Sequence, residues 1–284
     1  MNRLLVEESV RRALAEDAGR GDVTTELLVD GALAARAEIV AKEEGVVAGL
    51  PVVAAVFRLL DAALSFTALA EDGERVEVER RVAAVEGPAR SILTGERTAL
   101  NFLQHLSGIA SLAARGAQAL AGTGCRLLDT RKTLPGLRFL EKYAVRVGGG
   151  TNHRFALDDM ILIKDNHLAL AGGVREALRL VREHGPRHLK VQVEVGNLEE
   201  LEEALAGGAD FILLDNMDEG KLAMAVAMAG GRVPLEASGG VTMDNLARVA
   251  ATGVDYVSMG QLTHSARAMD FSLRLSPLPG KEPA

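Results

Sequence analysis

The sequence predicts a two-part α/β protein, an antiparallel α+β unit followed by a series of parallel βα units. Three observations predict it. Short strands follow one another between residues 34 and 88, separated by turns rich in Gly and Asp. After Cys125 the pattern changes to apolar run, loop, helix, apolar run, and it repeats. Six such runs end on a polar, charged or Gly position: Asp129, Lys164, Glu194, Asp215, Ser238 and Gly260.

In chain order, Leu4 to Ala15 carries apolar residues at 6, 10, 13 and 14 with charges between them, the spacing of an amphipathic helix. Gly19-Arg20-Gly21-Asp22 breaks it, and Asp22-Val23-Thr24-Thr25 reads as a turn and helix cap. Ala34 to Ala41 partly alternates, as a half-buried strand does. Gly45 and Gly49 punctuate a second short strand, and Val52 to Leu60 reads as a helix following Pro51. Leu64 to Leu69 is a strand and Glu71-Asp72-Gly73 a turn. Val76, Val78, Val82 and Val85 support further strand up to Gly87-Pro88. Thr94-Gly95-Glu96-Arg97 then starts a long helix that runs to Leu120. That start puts Arg97 in the first turn, where the helix dipole disfavours a cation.

The later apolar runs are Leu127-Leu128, Met160 to Ile163, Val191 to Val195, Phe211 to Leu214, Val233 to Ala237 and Tyr256 to Met259. Helical segments at 168–183, 197–206, 219–229 and 242–251 lie between them. Such alternation implies right-handed βαβ units, in either a (β/α) barrel or an open doubly wound sheet. No Gly-x-Gly-x-x-Gly turn follows the first of these strands, which argues against a dinucleotide fold. In a parallel barrel the strand C-termini share one face, and chemistry is done there. Cations and carboxylates at successive strand ends therefore point to one shared site.

Composition narrows the function classes. At 284 residues the chain can bury a sizeable core, and 48% apolar with 25% charged residues is the balance of a globular protein. A net charge of −7 argues against general nucleic-acid binding, and 3% aromatics with no Trp argue against base-stacking platforms. The one cysteine, Cys125, excludes an intrachain disulfide and reads as a buried bystander. Neither a signal-peptide apolar core nor an uncharged run of about 20 residues is visible, so the cytoplasm is the expected compartment.

Against that negative charge stands a local basic group: Arg131, Lys132, His153, Arg154, Lys164 and His167, around short apolar runs. Only seven of the 32 basic residues are Lys. Arg forks fit carboxylates or phosphates, and Lys adds a point charge, so the group suits a small ligand with several negative charges. Glu194 and Asp215 are poor anion ligands but good partners for Mg²⁺ or ribose hydroxyls. Mg²⁺ typically uses one or two carboxylates plus substrate phosphate oxygens. Ser238-Gly239-Gly240 precedes a helix expected to start near Thr242, and Gly260-Gln261 follows the last strand. Together they read as a barrel phosphate cradle.

These residues fall in motifs. They include Gly21-Asp22-Val23-Thr24-Thr25, Gly95-Glu96-Arg97-Thr98-Ala99-Leu100-Asn101 and Asp129-Thr130-Arg131-Lys132-Thr133. Others are Asn152-His153-Arg154 after three glycines, Ile163-Lys164-Asp165-Asn166-His167, Leu214-Asp215-Asn216, Glu236-Ala237-Ser238-Gly239-Gly240 and Gly260-Gln261-Leu262-Thr263-His264-Ser265. In these motifs, over almost its whole length, the chain resembles the quinolinate phosphoribosyltransferase family. Gln261 departs from the small residue expected at its position.

The resemblance implies an N-terminal α/β (α+β) sandwich domain over 1–110, rejoined by 266–284, and an incomplete parallel α/β barrel over 111–265. It implies a homodimer or higher homo-oligomer in which Arg97 acts in trans. Quinolinate would be held by Arg97, Thr130, Arg131, His153, Arg154 and Lys164. Phosphoribosyl pyrophosphate would be held by Lys132, Glu194, Asp215, Ser238, Gly239, Gly240, Gly260 and Gln261. Lys132, Lys164, Glu194 and Asp215 would form the catalytic group, with Mg²⁺ carried mainly on substrate phosphates and touched by Glu194 and Asp215.

Three other readings stay open on sequence alone: a nicotinate phosphoribosyltransferase-like enzyme, a Schiff-base lyase using Lys164, and a non-catalytic anion-binding protein. His105 reads as a core histidine and His167 as a helix cap. His184 and His188 read as solvated loop, and His264 has no assigned role.

Overall fold

The computed structural model describes residues 1–278. The end of the tail expected to rejoin the first domain, 279–284, lies outside the described residues. The chain runs α1 (Arg3–Ala18), α2 (Val23–Leu28), β1 (Ala34–Ala41), β2 (Gly45–Val46), α3 (Leu50–Leu60), β3 (Ser65–Ala68), β4 (Arg75–Val76), β5 (Arg81–Pro88) and α4 (Ala89–Ala119). It continues through β6 (Arg126–Leu128), α5 (Arg138–Val147), β7 (Ile161–Ile163), α6 (Asp165–Ala171), α7 (Val174–His184), β8 (Val191–Val195) and α8 (Leu198–Gly207). The last elements are β9 (Phe211–Asp215), α9 (Glu219–Ala229), β10 (Leu235–Ser238), α10 (Leu246–Ala251), β11 (Tyr256–Ser258), α11 (Gln261–His264) and β12 (Phe271–Pro277). Among the described residues no helix is long and apolar enough to cross a membrane.

The chain folds into two compact units. The first comprises Met1–Ala114, Leu134–Gly149 and the described residues from Ser265 on. Its sheet has the order β12-β1-β5-β3 and is antiparallel throughout. On β1, Ala35, Ala37 and Ile39 are buried while Arg36 is exposed, as the two-residue period of a one-sided sheet requires. The core is completed by Val52, Val53, Val56 and Phe57 of α3 and by Ile92, Leu100, Leu103, Leu106 and Ile109 of α4. Gly95 lets the two helices close on each other, because a Cβ there would stand 3.1 Å from the Phe57 ring.

The second unit comprises Arg115–Thr133 and Gly150–His264. It carries six parallel strands in the order β6-β11-β10-β9-β8-β7. This is the sequential ring order of a barrel opened between β6 and β7, not the reversed order of a doubly wound sheet. Beyond β6 a single bridge joins Leu128 to Thr151. The architecture is therefore the expected antiparallel domain plus an incomplete parallel barrel.

Several local expectations need correction. Val78 is not in a strand: it is 56% exposed in a turn, next to Glu79 at φ 67. The long helix begins at Ala89, directly after β5, so Arg97 sits in its third turn and the dipole argument does not apply to it. The segment 168–183 is two helices, because Gly172 and Gly173 adopt φ +92 and +106. The helix expected from Thr242 starts at Leu246. Between them the Thr242 N–H donates to the Asn245 side chain at 2.8 Å and holds a turn instead. Helix α5 has no counterpart among the expected elements.

Candidate active site

Strand alternation places the residues that end the parallel strands on one rim of the barrel. Side chains two residues earlier on each strand point the same way, one layer deeper. The rim holds Asp129, Lys164, Glu194, Asp215, Ser238 and Gly260, each at or close to its strand's C-terminal end. The next layer down holds Gln192 of β8, Glu236 of β10 and Ser258 of β11, all buried.

Asp129 is fully buried, so its role is internal. Its carboxylate accepts from the Asn152 side-chain amide and, at 2.8 Å, from the His153 backbone N–H. It thereby ties the 152–154 segment to the end of β6. The His153 ring sits between two sets of partners. Its Nδ1 accepts the Arg154 backbone N–H at 2.7 Å, and its Nε2 lies 3.0 Å from Gln192 Oε1 and 3.3 Å from Glu236 Oε2. Gln192 Nε2 in turn donates to Glu236 at 2.7 Å. Burial pushes the Glu236 carboxyl up, but hydrogen bonds from His153, Ser258 and Gln192 outweigh it and hold the group below its ordinary value.

Arg154 is half-buried, and one guanidinium N–H donates to the Met160 carbonyl at 3.0 Å. Burial first, and the neighbouring Arg131 charge second, push its pKa down, although Asp159 opposes them. Two guanidiniums close enough to repel, in a partly desolvated place, make a site that an anion would relieve. Lys164, exposed at the end of β7, lies 3.1 Å from Glu194 at the end of the paired strand β8. His167 accepts the Lys164 N–H at 2.9 Å and caps α6, the role read from its position.

The Asp129–Thr133 loop crosses to the neighbouring strand end. β6 pairs with β11, and Thr263 Oγ1 donates to the Lys132 carbonyl at 2.8 Å. A Cβ at Gly260 would stand 2.8 Å from Lys132 Cδ, so a glycine there is what lets the lysine stem lie against the backbone. The Thr130 hydroxyl accepts the Lys132 N–H at 3.0 Å and shapes the same loop.

At β9 and β10, Asp215 accepts from the Asn216 amide at 2.7 Å, and the Asn216 N–H donates to the Ser238 carbonyl at 2.9 Å. Gly239, at φ +85, passes so close to Asn216 that a Cβ would stand 2.3 Å from its Oδ1. Beside this turn lies a cavity of about 420 Å³ bordered by Ser238, Gly239, Asn245 and the start of α9.

The structure thus gathers Thr130, Arg131, Lys132, His153, Arg154, Lys164, Glu194, Asp215, Ser238, Gly239, Gly240, Gly260 and Gln261 within the second unit, with Lys164, Glu194, Asp215, Ser238 and Gly260 at the strand ends that form the rim. Arg97 belongs to the first unit and is exposed on α4. Sequence reasoning missed Gln192 and Glu236. Their signal was present: each is a polar residue inside an otherwise apolar run, two positions before a rim residue. His105 lies 2.8 Å from the buried Glu141 carboxylate and is a structural histidine of the first unit.

A partly closed parallel barrel with cations, carboxylates and a glycine-lined turn on one rim defines a phosphoribosyltransferase-type enzyme once its relatives are considered. Family models match in two blocks: Quinolinate phosphoribosyl transferase, N-terminal domain, over residues 22–107, and the C-terminal domain over 109–274. The chain belongs to the quinolinate phosphoribosyl transferase family. It is 43% identical over 277 residues to a probable nicotinate-nucleotide pyrophosphorylase [carboxylating] of Synechocystis sp., covering 96% of this chain and 93% of that protein. It is 44% identical over 274 residues to the nicotinate-nucleotide pyrophosphorylase [carboxylating] of Mycobacterium leprae, covering 94% and 96%. The solved NadC of Streptococcus pyogenes superposes with a TM-score of 0.95 at 44% identity, covering 98% and 99%. A human nicotinic acid phosphoribosyltransferase, at 15% identity and a TM-score of 0.60, shares the fold alone.

Proposed function

We propose that this protein transfers the phosphoribosyl group of phosphoribosyl pyrophosphate to quinolinate with decarboxylation. The products are nicotinate mononucleotide, pyrophosphate and CO₂, a step of de novo NAD synthesis. The observation that carries the reading is the set of cations gathered in the barrel unit: Arg154 close enough to Arg131 to feel its charge, and Lys164 at the end of β7. Several cations in a small volume suit a compact dicarboxylate better than a monocarboxylate.

In this reading Arg131, Arg154 and Lys164 receive the two carboxylates, within a pocket shaped by Thr130 and His153. Arg97 from a second copy of the chain joins them. Lys132 reaches toward the phosphoribosyl donor. Ser238, Gly239, Gly240, Gly260 and Gln261 hold the 5′-phosphate, chiefly through backbone N–H groups. Glu194 and Asp215 hold the ribose hydroxyls. As two carboxylates on neighbouring strands they also fit Mg²⁺, which takes most of its remaining ligands from substrate and water. Bound there, Mg²⁺ supplies charge stabilisation for the departing pyrophosphate.

The fixed cations orient the pyridine so that its nitrogen faces the anomeric carbon, and the rim carboxylates stabilise the oxocarbenium-like ribose. The carbon–oxygen bond to pyrophosphate breaks as the carbon–nitrogen bond forms. The ring nitrogen, now cationic, stabilises the electron pair released when the adjacent carboxylate leaves as CO₂, and the ring carbon that bore it then takes a proton from solvent. Lys164 is half exposed and faces Glu194 at 3.1 Å, which is not the desolvated apolar setting that activates a Schiff-base lysine.

The test is incubation of purified protein with Mg²⁺, phosphoribosyl pyrophosphate and carboxyl-labelled quinolinate, following CO₂ and nicotinate mononucleotide together. Equal release of both is expected. Quinolinate binding without either product would instead favour a non-catalytic anion-binding protein, and turnover of nicotinate without CO₂ would favour the nicotinate enzyme.

A further inference from the structure

Neither ring nitrogen of His153 faces an unengaged direction: one accepts the Arg154 N–H and the other meets Gln192 and Glu236. Glu236 itself is buried, in the middle of a strand whose neighbours Leu235 and Ala237 are apolar and buried. A buried carboxylate is costly, and replacing a buried charged or polar cluster by well-packed apolar residues is often neutral or stabilising. Stability alone therefore gives little reason for a carboxylate here. Its location gives a better one. It lies one layer below Ser238, across β9 from Gln192, which lies one layer below Glu194. The two deep polar groups converge on one imidazole, and that imidazole holds the backbone of Arg154.

We infer that Glu236 and Gln192 are positioning residues for the proposed reaction. They fix the His153 ring, and through it they aim the Arg154 fork at a substrate carboxylate. This deepens the functional reading above and rests on it. His153 then serves the pyridine dicarboxylate through Arg154 and not by its own contact. The hydrogen-bond directions agree along the whole chain. The Arg154 N–H donates to Nδ1, so Nε2 carries the ring proton and donates to Gln192 Oε1 and to Glu236. The Gln192 amide uses its other end to donate to the same carboxylate. Arg154 needs such external fixing, because the Arg131 guanidinium repels its own and the Met160 carbonyl takes only one of its N–H groups. A fork displaced by a fraction of an ångström loses bidentate geometry while keeping its charge.

The test measures quinolinate and phosphoribosyl pyrophosphate binding separately by calorimetry, with steady-state kinetics and melting curves alongside. Glu236→Gln keeps the size and removes the charge. It is expected to weaken quinolinate binding about tenfold or more and to leave the phosphoribosyl pyrophosphate Kd within about twofold. Gln192→Met, which removes the amide that orients Glu236, is expected to show the same one-sided loss. The exchange Gln192→Glu with Glu236→Gln returns a carboxylate to the His153 Nε2 side and is expected to recover most of the affinity. Unchanged quinolinate binding in Glu236→Gln would overturn the inference. So would equal losses for both substrates, or no recovery in the exchange variant. If the unmodified protein itself fails to bind quinolinate, the functional reading fails first and the inference falls with it.

Discussion

The Lys164 ammonium and the Glu194 carboxylate face each other at 3.1 Å, one step beyond the paired residues Ile163 and Val193. In the proposed reaction, a cation meant for quinolinate and an anion meant for ribose therefore touch where the two substrates would meet. Lys164→Ala is expected to lower kcat/KM by about ten- to a hundredfold or more, since charge-assisted bonds are worth about 1.5–3 kcal/mol each and this one also orients Glu194. The side chain is 47% exposed, so the unfolding free energy should change by about 1 kcal/mol or less. Parallel activity assays and denaturant unfolding check both statements, and near-normal turnover would count against the site.

Gly239 tests the phosphate turn. Its φ of +85 and the approach of Asn216 leave no room for a methyl group. Gly239→Ala is expected to raise the KM for phosphoribosyl pyrophosphate and to destabilise the protein by about 1–3 kcal/mol. Quinolinate binding measured without the donor should be close to normal.

Asp72 anchors the first unit. It accepts from the Gly49 and Leu50 N–H groups at the start of α3, at 2.9 and 3.0 Å, and from the Tyr143 hydroxyl at 2.6 Å. Asp72→Ala should cost about 2–4 kcal/mol in urea unfolding, whereas Tyr143→Phe should cost about 1 kcal/mol.

Cys125 supplies a pH prediction. Burial, and then the Asp255 charge, push its thiol up to about 11 from an ordinary value of 9.0. The thiolate is the reactive form, so raising the pKa lowers its share at any pH below both values. Between pH 7 and 9 a thiol reagent should label the native protein on the order of a hundredfold more slowly than the unfolded chain. Fast labelling of native protein would refute this.

The barrel was legible because each of its elements obeys a local rule. Apolar runs are short, helices follow them, and the rim residue is the one that breaks the run. Helix α5 was illegible because Glu141 and Lys142 look like solvated charges, yet Glu141 is fully buried and Lys142 is 2% exposed. Only the fold supplies the His105 and Leu134 N–H partners that make the Glu141 carboxylate tolerable. The start of α4 was misplaced because Gly87-Pro88 reads as a break, while in the fold Pro88 ends β5 and the helix begins at the next residue. The rim cations could be named from motifs, but the line from Glu236 through His153 to Arg154 joins residues 236, 153 and 154. Nothing local couples residue 236 to residue 153.

Strand β1 lies between β5, which follows it closely, and β12, which arrives more than two hundred residues later. During synthesis its outer edge must wait, with unpaired N–H and C=O groups, until the ribosome has completed the whole barrel. An open strand edge is a template for another chain. The first domain to emerge is thus the last to be closed. Nascent chains stalled before Phe271 should engage chaperones or one another, while finished chains should not.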